Sequence, residues 1–211
     1  MIRLPIDPRR PDPEALARAV KAIADGGVVA LPTDTLYGLA VDPRQPAAVE
    51  ALFRIKSRDA GQPVPVIAAS ESQVEECVGR LPELARRLAR RHWPGPLTLV
   101  VEGAPDLAAA LHSTDGRVAV RVPANRIALE VAQRVGYVVT ATSANPSGRE
   151  APSTAEAVIE LLGDSVDLVL DGGPAPGGPP STVVDATGLA PVLLRAGAVA
   201  WERVLESLHE P

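Results

Sequence analysis

One stretch constrains the fold more than any other: Gly26-Gly27-Val28-Val29-Ala30-Leu31-Pro32-Thr33-Asp34-Thr35-Leu36-Tyr37-Gly38-Leu39-Ala40. Residues 28–31 form a short apolar, partly β-branched run bounded by glycine, which predicts a buried central strand. Pro32 closes it, because proline brings no N–H to a ladder. A packet of hydroxyls and one carboxylate follows (Thr33, Asp34, Thr35 and Tyr37) before apolar character resumes at residues 39–41. A polar packet at the end of a buried strand is where open α/β sheets place ligands. The same residues would also serve as a plain polar turn between two strands.

The rest of the chain supplies helices and strands in mixed order. Helices are predicted at 13–25, with Asp12 as cap and Pro13 in the first turn, and at 46–55, 82–92, 125–135 and 201–208. Ser70 starts a shorter helix, and Ser153-Thr154-Ala155-Glu156 reads as a capping box for one ending near Leu162. Further strands are predicted at 64–69, 97–101, 117–122, 137–140, 166–170, 182–185 and 192–195, the last two as a pair. Strict strand–helix alternation is missing, so the expectation is an α/β fold. It is built on a twisted, mixed, open sheet with helices packed on it, as one domain over residues 1–211.

Charge and composition exclude several functions. The formal net charge of −5 gives no overall attraction to nucleic acid or to an anionic membrane, so an anion site must be a local basic cluster. Cys77 is the only cysteine, which forbids an intrachain disulfide and suits a reducing compartment. It lies on an apolar helix face and reads as a buried thiol. No apolar run approaches the ~20 residues of a transmembrane helix, and the N-terminus lacks a signal-peptide core. A cytoplasmic protein is the expectation.

The chain carries no Walker loop, dinucleotide fingerprint, Cys/His zinc spacing or nucleophile elbow. His92, His112 and His209 stand far apart and read as surface or capping residues. What remains is a set of cations and hydroxyls at element ends. Lys56, one of only two lysines, and Arg58 stand at a helix terminus, where they complement the helix dipole or bind an anion. Arg117 and Arg121 share one strand face, and arginine suits bidentate carboxylate or phosphate binding. Ser143 and Asn145 follow a strand, where they form a turn or meet a phosphate or nucleobase. Together with Arg195 they describe a pocket for an anionic nucleotide and a small polar acid.

At this point the chain resembles a known family, the YrdC-like threonylcarbamoyl-AMP synthases, in its short single-domain form. The resemblance runs from about Ala15 to Gly197. It rests on Leu31-Pro32-Thr33-Asp34-Thr35-Leu36-Tyr37-Gly38-Leu39, Lys56-Ser57-Arg58, Trp93-Pro94-Gly95-Pro96-Leu97-Thr98, Val120-Arg121-Val122-Pro123, Ser143-Ala144-Asn145-Pro146-Ser147-Gly148, Ser181-Thr182-Val183-Val184-Asp185 and Leu194-Arg195-Ala196-Gly197. It implies a twisted α/β fold with a large concave cleft, and no C-terminal extension domain. The implied reaction joins L-threonine, bicarbonate and ATP into threonylcarbamoyl-adenylate and pyrophosphate, for modification of the adenosine beside a tRNA anticodon.

By this resemblance Thr35, Arg121, Ala141 and Ser181 hold threonine. Lys56, Arg58, Gln62, Arg117, Ser143, Asn145 and Arg195 hold ATP. Lys56 and Arg58 meet the charge that develops on the triphosphate. Mg²⁺ is expected with ATP and no metal site on the protein itself. tRNA or the downstream threonylcarbamoyl-transfer proteins are the implied macromolecular partners. Asp59, Gln62, Ile67, Arg117 and Ala151 depart from residues common in the family and bear on the exact contacts. Two alternatives stay open: an RNA-binding YrdC-like protein without this activity, and a carbamoyl-transfer paralogue. Residues 172–180, rich in glycine and proline, read as a lid or a connector, with Ser181 at their end favouring the lid.

Overall fold

The computed structural model describes residues 1–57, 64–105 and 107–209. Among these the strands are β1 (Ile2–Pro5), β2 (Val29–Pro32), β3 (Tyr37–Ala40), β4 (Val66–Ile67), β5 (Leu97–Glu102), β6 (Arg117–Arg121), β7 (Val139–Thr140), β8 (Thr142–Ser143), β9 (Leu168–Asp171), β10 (Thr182–Asp185) and β11 (Val192–Arg195). The helices are α1 (Pro13–Ala24), α2 (Pro46–Lys56), α3 (Glu71–Cys77), α4 (Glu83–His92), α5 (Arg126–Val135), α6 (Ala155–Leu162) and α7 (Trp201–Glu206).

The fold is mixed α/β, and its strands divide into two hydrogen-bonded sheets. The first has the order β1-β9-β2-β3-β8 and the second β11-β10-β5-β6-β4-β7. Both mix parallel and antiparallel pairs: β1, β9 and β2 run parallel, whereas β2–β3 is an antiparallel hairpin. In the second sheet β10–β5 and β4–β6 are parallel, with β5–β6 and β10–β11 antiparallel. The strand predicted at 137–140 shortens to β7, and Thr142–Ser143, read from sequence as part of a strand-end loop, form a second short strand, so this stretch serves both sheets. β7 pairs with β4 in the second, β8 pairs with β3 in the first, and Ala141 between them is the crossing point. The strand predicted at 64–69 shortens to β4 because Pro65 lacks an N–H; its carbonyl instead takes the Ala141 N–H at 2.8 Å.

Side-chain alternation explains what each sheet face does. In the first sheet both faces are covered. Val29 and Leu31 pack with Ile23, Ala128 and Val131 of α1 and α5, whereas Ala30 and Leu39 pack with Leu52 and Val158 of α2 and α6. Such strands read as continuous apolar runs. In the second sheet one face, with Leu97, Leu99, Val118, Val120 and Val184, packs on α3, α4 and α7. The opposite face carries Thr98, Ala119, Arg121 and Val183 toward a cleft. The alternation of residues 117–122 is thus a one-sided strand facing that cleft.

The packet after Pro32 is the turn of the β2–β3 hairpin, and it also follows the carboxyl end of a strand that runs parallel to β9: Thr33 N–H donates to Leu36 O at 3.1 Å, and Pro32 pairs with Tyr37. One local reading needs correction. Helix α6 is capped by Thr154, whose hydroxyl accepts Ala157 N–H at 3.2 Å, so the Ser153/Glu156 capping box does not form. Glu156 pairs with Arg3 instead, in a cluster completed by Asp171. No described helix is long and apolar enough to cross a membrane.

Candidate active site

A cleft of about 280 Å³ opens at the seam between the two sheets. The first sheet contributes Thr33, Thr35, Tyr37 and Gly38 from the hairpin and Thr142 and Ser143 from β8. The second contributes Ile67, Thr98, Ala119, Arg121, Val183 and Arg195, with Pro180 and Ser181 entering β10 and Ala141 at the crossing. Among the described residues lining it there is no His, Cys, Lys, Asp or Glu. Its chemistry rests on two guanidinium groups, several hydroxyls and backbone.

The hairpin turn is held by its own side chain. Thr33 Oγ1 accepts the N–H groups of Thr35 and Leu36 at 3.2 and 3.3 Å and donates to Leu36 O at 2.7 Å. It also lies 3.1 Å from Thr35 Oγ1, which presents the Thr35 hydroxyl at the cleft wall. Asp34, between the two threonines, turns toward the second sheet, where its Oδ1 lies 3.2 Å from Arg121 Nη1.

Arg121 is only 7% exposed. Its pKa falls below the ordinary arginine value: burial lowers it most, Asp34 opposes, and the like charge of Arg195 adds to the lowering. The ion pair is close but misaligned for hydrogen bonding. Arg121 Nη1 and both oxygens of Asp34 are buried without a hydrogen-bond partner among the described residues. Each such group costs roughly 1–3 kcal/mol. A buried guanidinium with unused donors on the wall of a cleft is a ready seat for a carboxylate.

Lys56 departs from its expected place. It is not an exposed helix end: it is 3% exposed. Its Nζ, with three N–H groups to share among them, lies 2.7 Å from Ser143 O, 3.2 Å from Ser143 Oγ, 2.6 Å from Asn145 O and 2.9 Å from Asn145 Oδ1. Asn145 completes the clasp by donating its side-chain amide to Arg149 O. Ser57, in left-handed backbone (φ 48, ψ 43), ends α2 directly after the lysine. Lys56 therefore ties the end of α2 to the loop behind Ser143, and it stands behind the cleft wall with Asn145 while Ser143 faces in.

At the opposite wall Ser181 Oγ lies 2.8 Å from Thr98 Oγ1. Arg195 Nη2 donates to Ser181 O and Oγ at 2.7 and 3.1 Å. Gly197 lets β11 approach this point, since a Cβ there would lie 2.2 Å from Pro180 O. Arg117, on the same strand face as Arg121 but at the other end of β6, does not line the cleft. It pairs with Asp185 at 2.8 Å and Asp115 at 3.1 Å. Arg58 and Gln62 lie outside the described residues.

Thr98 and Asp34 carried no role in the sequence reading. Thr98 sits one residue out of phase with Leu97 and Leu99, a signal that alternation could have supplied. Residues 172–180 dock against the hairpin. Tyr37 donates its hydroxyl to Gly173 O at 2.8 Å, and Gly177 N–H reaches Thr35 O at 2.9 Å. The histidines are structural, as expected: His92 Nε2 lies 3.0 Å from Ser207 Oγ, His112 Nδ1 lies 3.2 Å from Gly116 O, and His209 is exposed. Cys77 is half-buried against the core, and burial pushes its thiol pKa up.

Known proteins share this architecture. The Sua5/YciO/YrdC family model, described as "Telomere recombination", matches residues 21–197. A Mycobacterium tuberculosis relative, named provisionally as a threonylcarbamoyl-AMP synthase, is 42% identical over 93% of this chain and 92% of its own length. A threonylcarbamoyl-AMP synthase of Pyrococcus abyssi is 38% identical over 89% of this chain, which spans 55% of that protein. The crystal structure of P. abyssi Sua5 complexed with L-threonine superposes with a TM-score of 0.92 at 35% identity, covering 99% of this chain and 61% of that one. The chain belongs to the Sua5/YciO/YrdC family.

Proposed function

We propose that this protein is an L-threonylcarbamoyladenylate synthase, forming threonylcarbamoyl-AMP and pyrophosphate from L-threonine, bicarbonate and ATP. The observation that carries the reading is Arg121: a buried cation with unused donors, facing a cleft whose other wall holds a second cation, Arg195. Relatives named for this activity, and one solved with L-threonine, support it.

The chemistry asks for placement and charge, not for a protein nucleophile. The unprotonated threonine amine attacks the carbon of bicarbonate, and loss of hydroxide as water leaves a carbamate. A carbamate oxygen then attacks the α-phosphorus while the bond to the departing pyrophosphate breaks. Arg121 holds the amino-acid carboxylate, with the hydroxyls of Thr35 and Ser181 and the backbone at Ala141 beside it. Arg195 and Ser143 face the nucleotide with the positive centre of Lys56 behind the wall, joined by Arg58, Gln62 and Asn145 in the same proposal, whereas Arg117, paired with Asp185 and Asp115 outside the cleft, takes no part. ATP enters as its Mg²⁺ complex. In this proposal the ion is carried on the phosphates. A cytoplasmic setting and a tRNA-modification role, through tRNA or a threonylcarbamoyl-transfer protein, belong to the same reading.

The test is pyrophosphate release by the pure protein, with the adenylate identified by mass spectrometry. Release is expected only when threonine, bicarbonate and ATP are all present. Equal release without an amino acid would make the protein a nucleotide hydrolase. RNA binding without any release would favour the RNA-binding alternative.

A further inference from the structure

Among the described residues Asp34 is the one carboxylate brought against the cleft's deepest cation, and the reaction as described does not use it. Its placement is unusual in three respects. It lies 3.2 Å from Arg121 Nη1, well inside ion-pair range. Neither of its oxygens is hydrogen-bonded or open to solvent among the described residues. It does not line the cleft, although Thr33 and Thr35 on either side of it do. A carboxylate closed off in this way cannot take the substrate's ammonium group. What it touches is Arg121.

From this geometry we infer that Asp34 is a positioning residue for the substrate carboxylate: it holds Arg121 by charge alone and so leaves the guanidinium donors free for the ligand. The inference rests on the functional reading above. A carboxylate that met Arg121 in the usual two-point geometry would consume two of its N–H groups. Here Nη1 is shut away beside Asp34 and makes no hydrogen bond to it, and it alone of the guanidinium nitrogens is both buried and unpartnered. Charge attraction is strong at this distance in a low-dielectric site and does not depend on N–H alignment. Asp34 also offsets the repulsion between Arg121 and Arg195. The Thr33 hydroxyl network fixes the turn that aims it.

The experiment compares Asp34→Asn with the wild-type protein by steady-state kinetics. The wild type is first taken through the threonine-dependent assay; failure there overturns the functional reading, and the inference with it. With the wild type active, Asp34→Asn is expected to raise the threonine KM roughly 10- to 100-fold, the loss typical of a misplaced charge-assisted contact. The ATP KM and the kcat at saturating threonine are expected to stay within about twofold. In an Arg121→Lys background the same substitution adds little, because the fork it positions has already gone. An unchanged threonine KM, an equal rise in both KM values, or full additivity with Arg121→Lys overturns the inference.

Should Asp34→Asn fail to fold, the wild type still decides. Nitrogen-15 NMR of Arg121 without threonine is expected to show slow rotation and separate Nη signals. A single averaged Nη signal would show that Asp34 does not hold the group.

Discussion

Replacing Lys56 with methionine keeps the aliphatic stem and removes the ammonium group, so it isolates what that charge does. Among the described residues, contacts to four acceptors at 2.6 to 3.2 Å are lost. Ser143 O retains the Asn145 N–H at 2.9 Å, and the Ser143 side chain can meet water at the cleft. Asn145 O and Oδ1 are buried and lose their donor. At roughly 1–3 kcal/mol for each unsatisfied buried acceptor, the cost is about 2–6 kcal/mol. Relief of the buried ammonium's desolvation offsets part of this, which leaves a net loss of about 3 kcal/mol. For a chain of this size that corresponds to a fall in Tm of about 6–12 °C. Urea melts at pH 7 measure it directly, and amide exchange at Asn145 and Ser147 should accelerate because the clasp opens. Stability within about 0.5 kcal/mol of wild type, the range of an ordinary surface substitution, would refute the reasoning. Lost turnover at unchanged stability would return Lys56 to the exposed phosphate-binding position that the sequence suggests.

Three further outcomes follow from the geometry. Arg195→Ala should raise the KM for ATP by roughly 10- to 100-fold, whereas Arg117→Ala, paired with Asp185 and Asp115 away from the cleft, should change it by less than about threefold; the reverse ordering in kinetics would move the nucleotide to the other end of β6. The Tyr37 hydroxyl is pushed up to about 12, chiefly by burial, with Asp171 adding to the rise. The folded state therefore keeps this proton longer than the unfolded state, and the stabilisation is complete below pH ~10 and lost as pH rises through about 12, a fall of roughly 2–3 kcal/mol. Tyr37→Phe should lose this alkaline slope and cost about 1 kcal/mol at pH 7; parallel urea-melt profiles between pH 8 and 12 would contradict that. Amide exchange across 172–181, Gly177 above all, should slow when ATP and threonine are both bound; unchanged exchange there would leave the segment a connector.

Much of this was legible in the chain because local chemistry and final position agree. The Asp12–Pro13 start, the apolar run after Gly27 and the Arg117/Ala119/Arg121 alternation each depend on neighbours within a few residues. The misses share one physical cause. Lys56 looks like an exposed helix end until Ser143 and Asn145, far along the chain, close over it. Asp34 looks like an ordinary turn residue until β6 delivers Arg121 beside it. The split into two sheets turns on one residue, Ala141, after which a stretch that reads as loop pairs with β3 as a second short strand. Thr154, not Ser153, caps α6, and Glu156 reaches across to Arg3 near the chain's start. In each case a long-range contact decides the outcome, and no local periodicity records it.

The central claim is that the cleft is built around a buried cation that seats an amino-acid carboxylate. Calorimetric titration of the protein with L-threonine and with L-threoninol, which keeps the amine and side chain but lacks the carboxylate, tests it most directly. Threonine should bind roughly 10- to 100-fold more tightly, the contribution of a charge-assisted contact to Arg121, and the difference should collapse in Arg121→Ala. Equal affinity for the two ligands in the wild-type protein would contradict the claim.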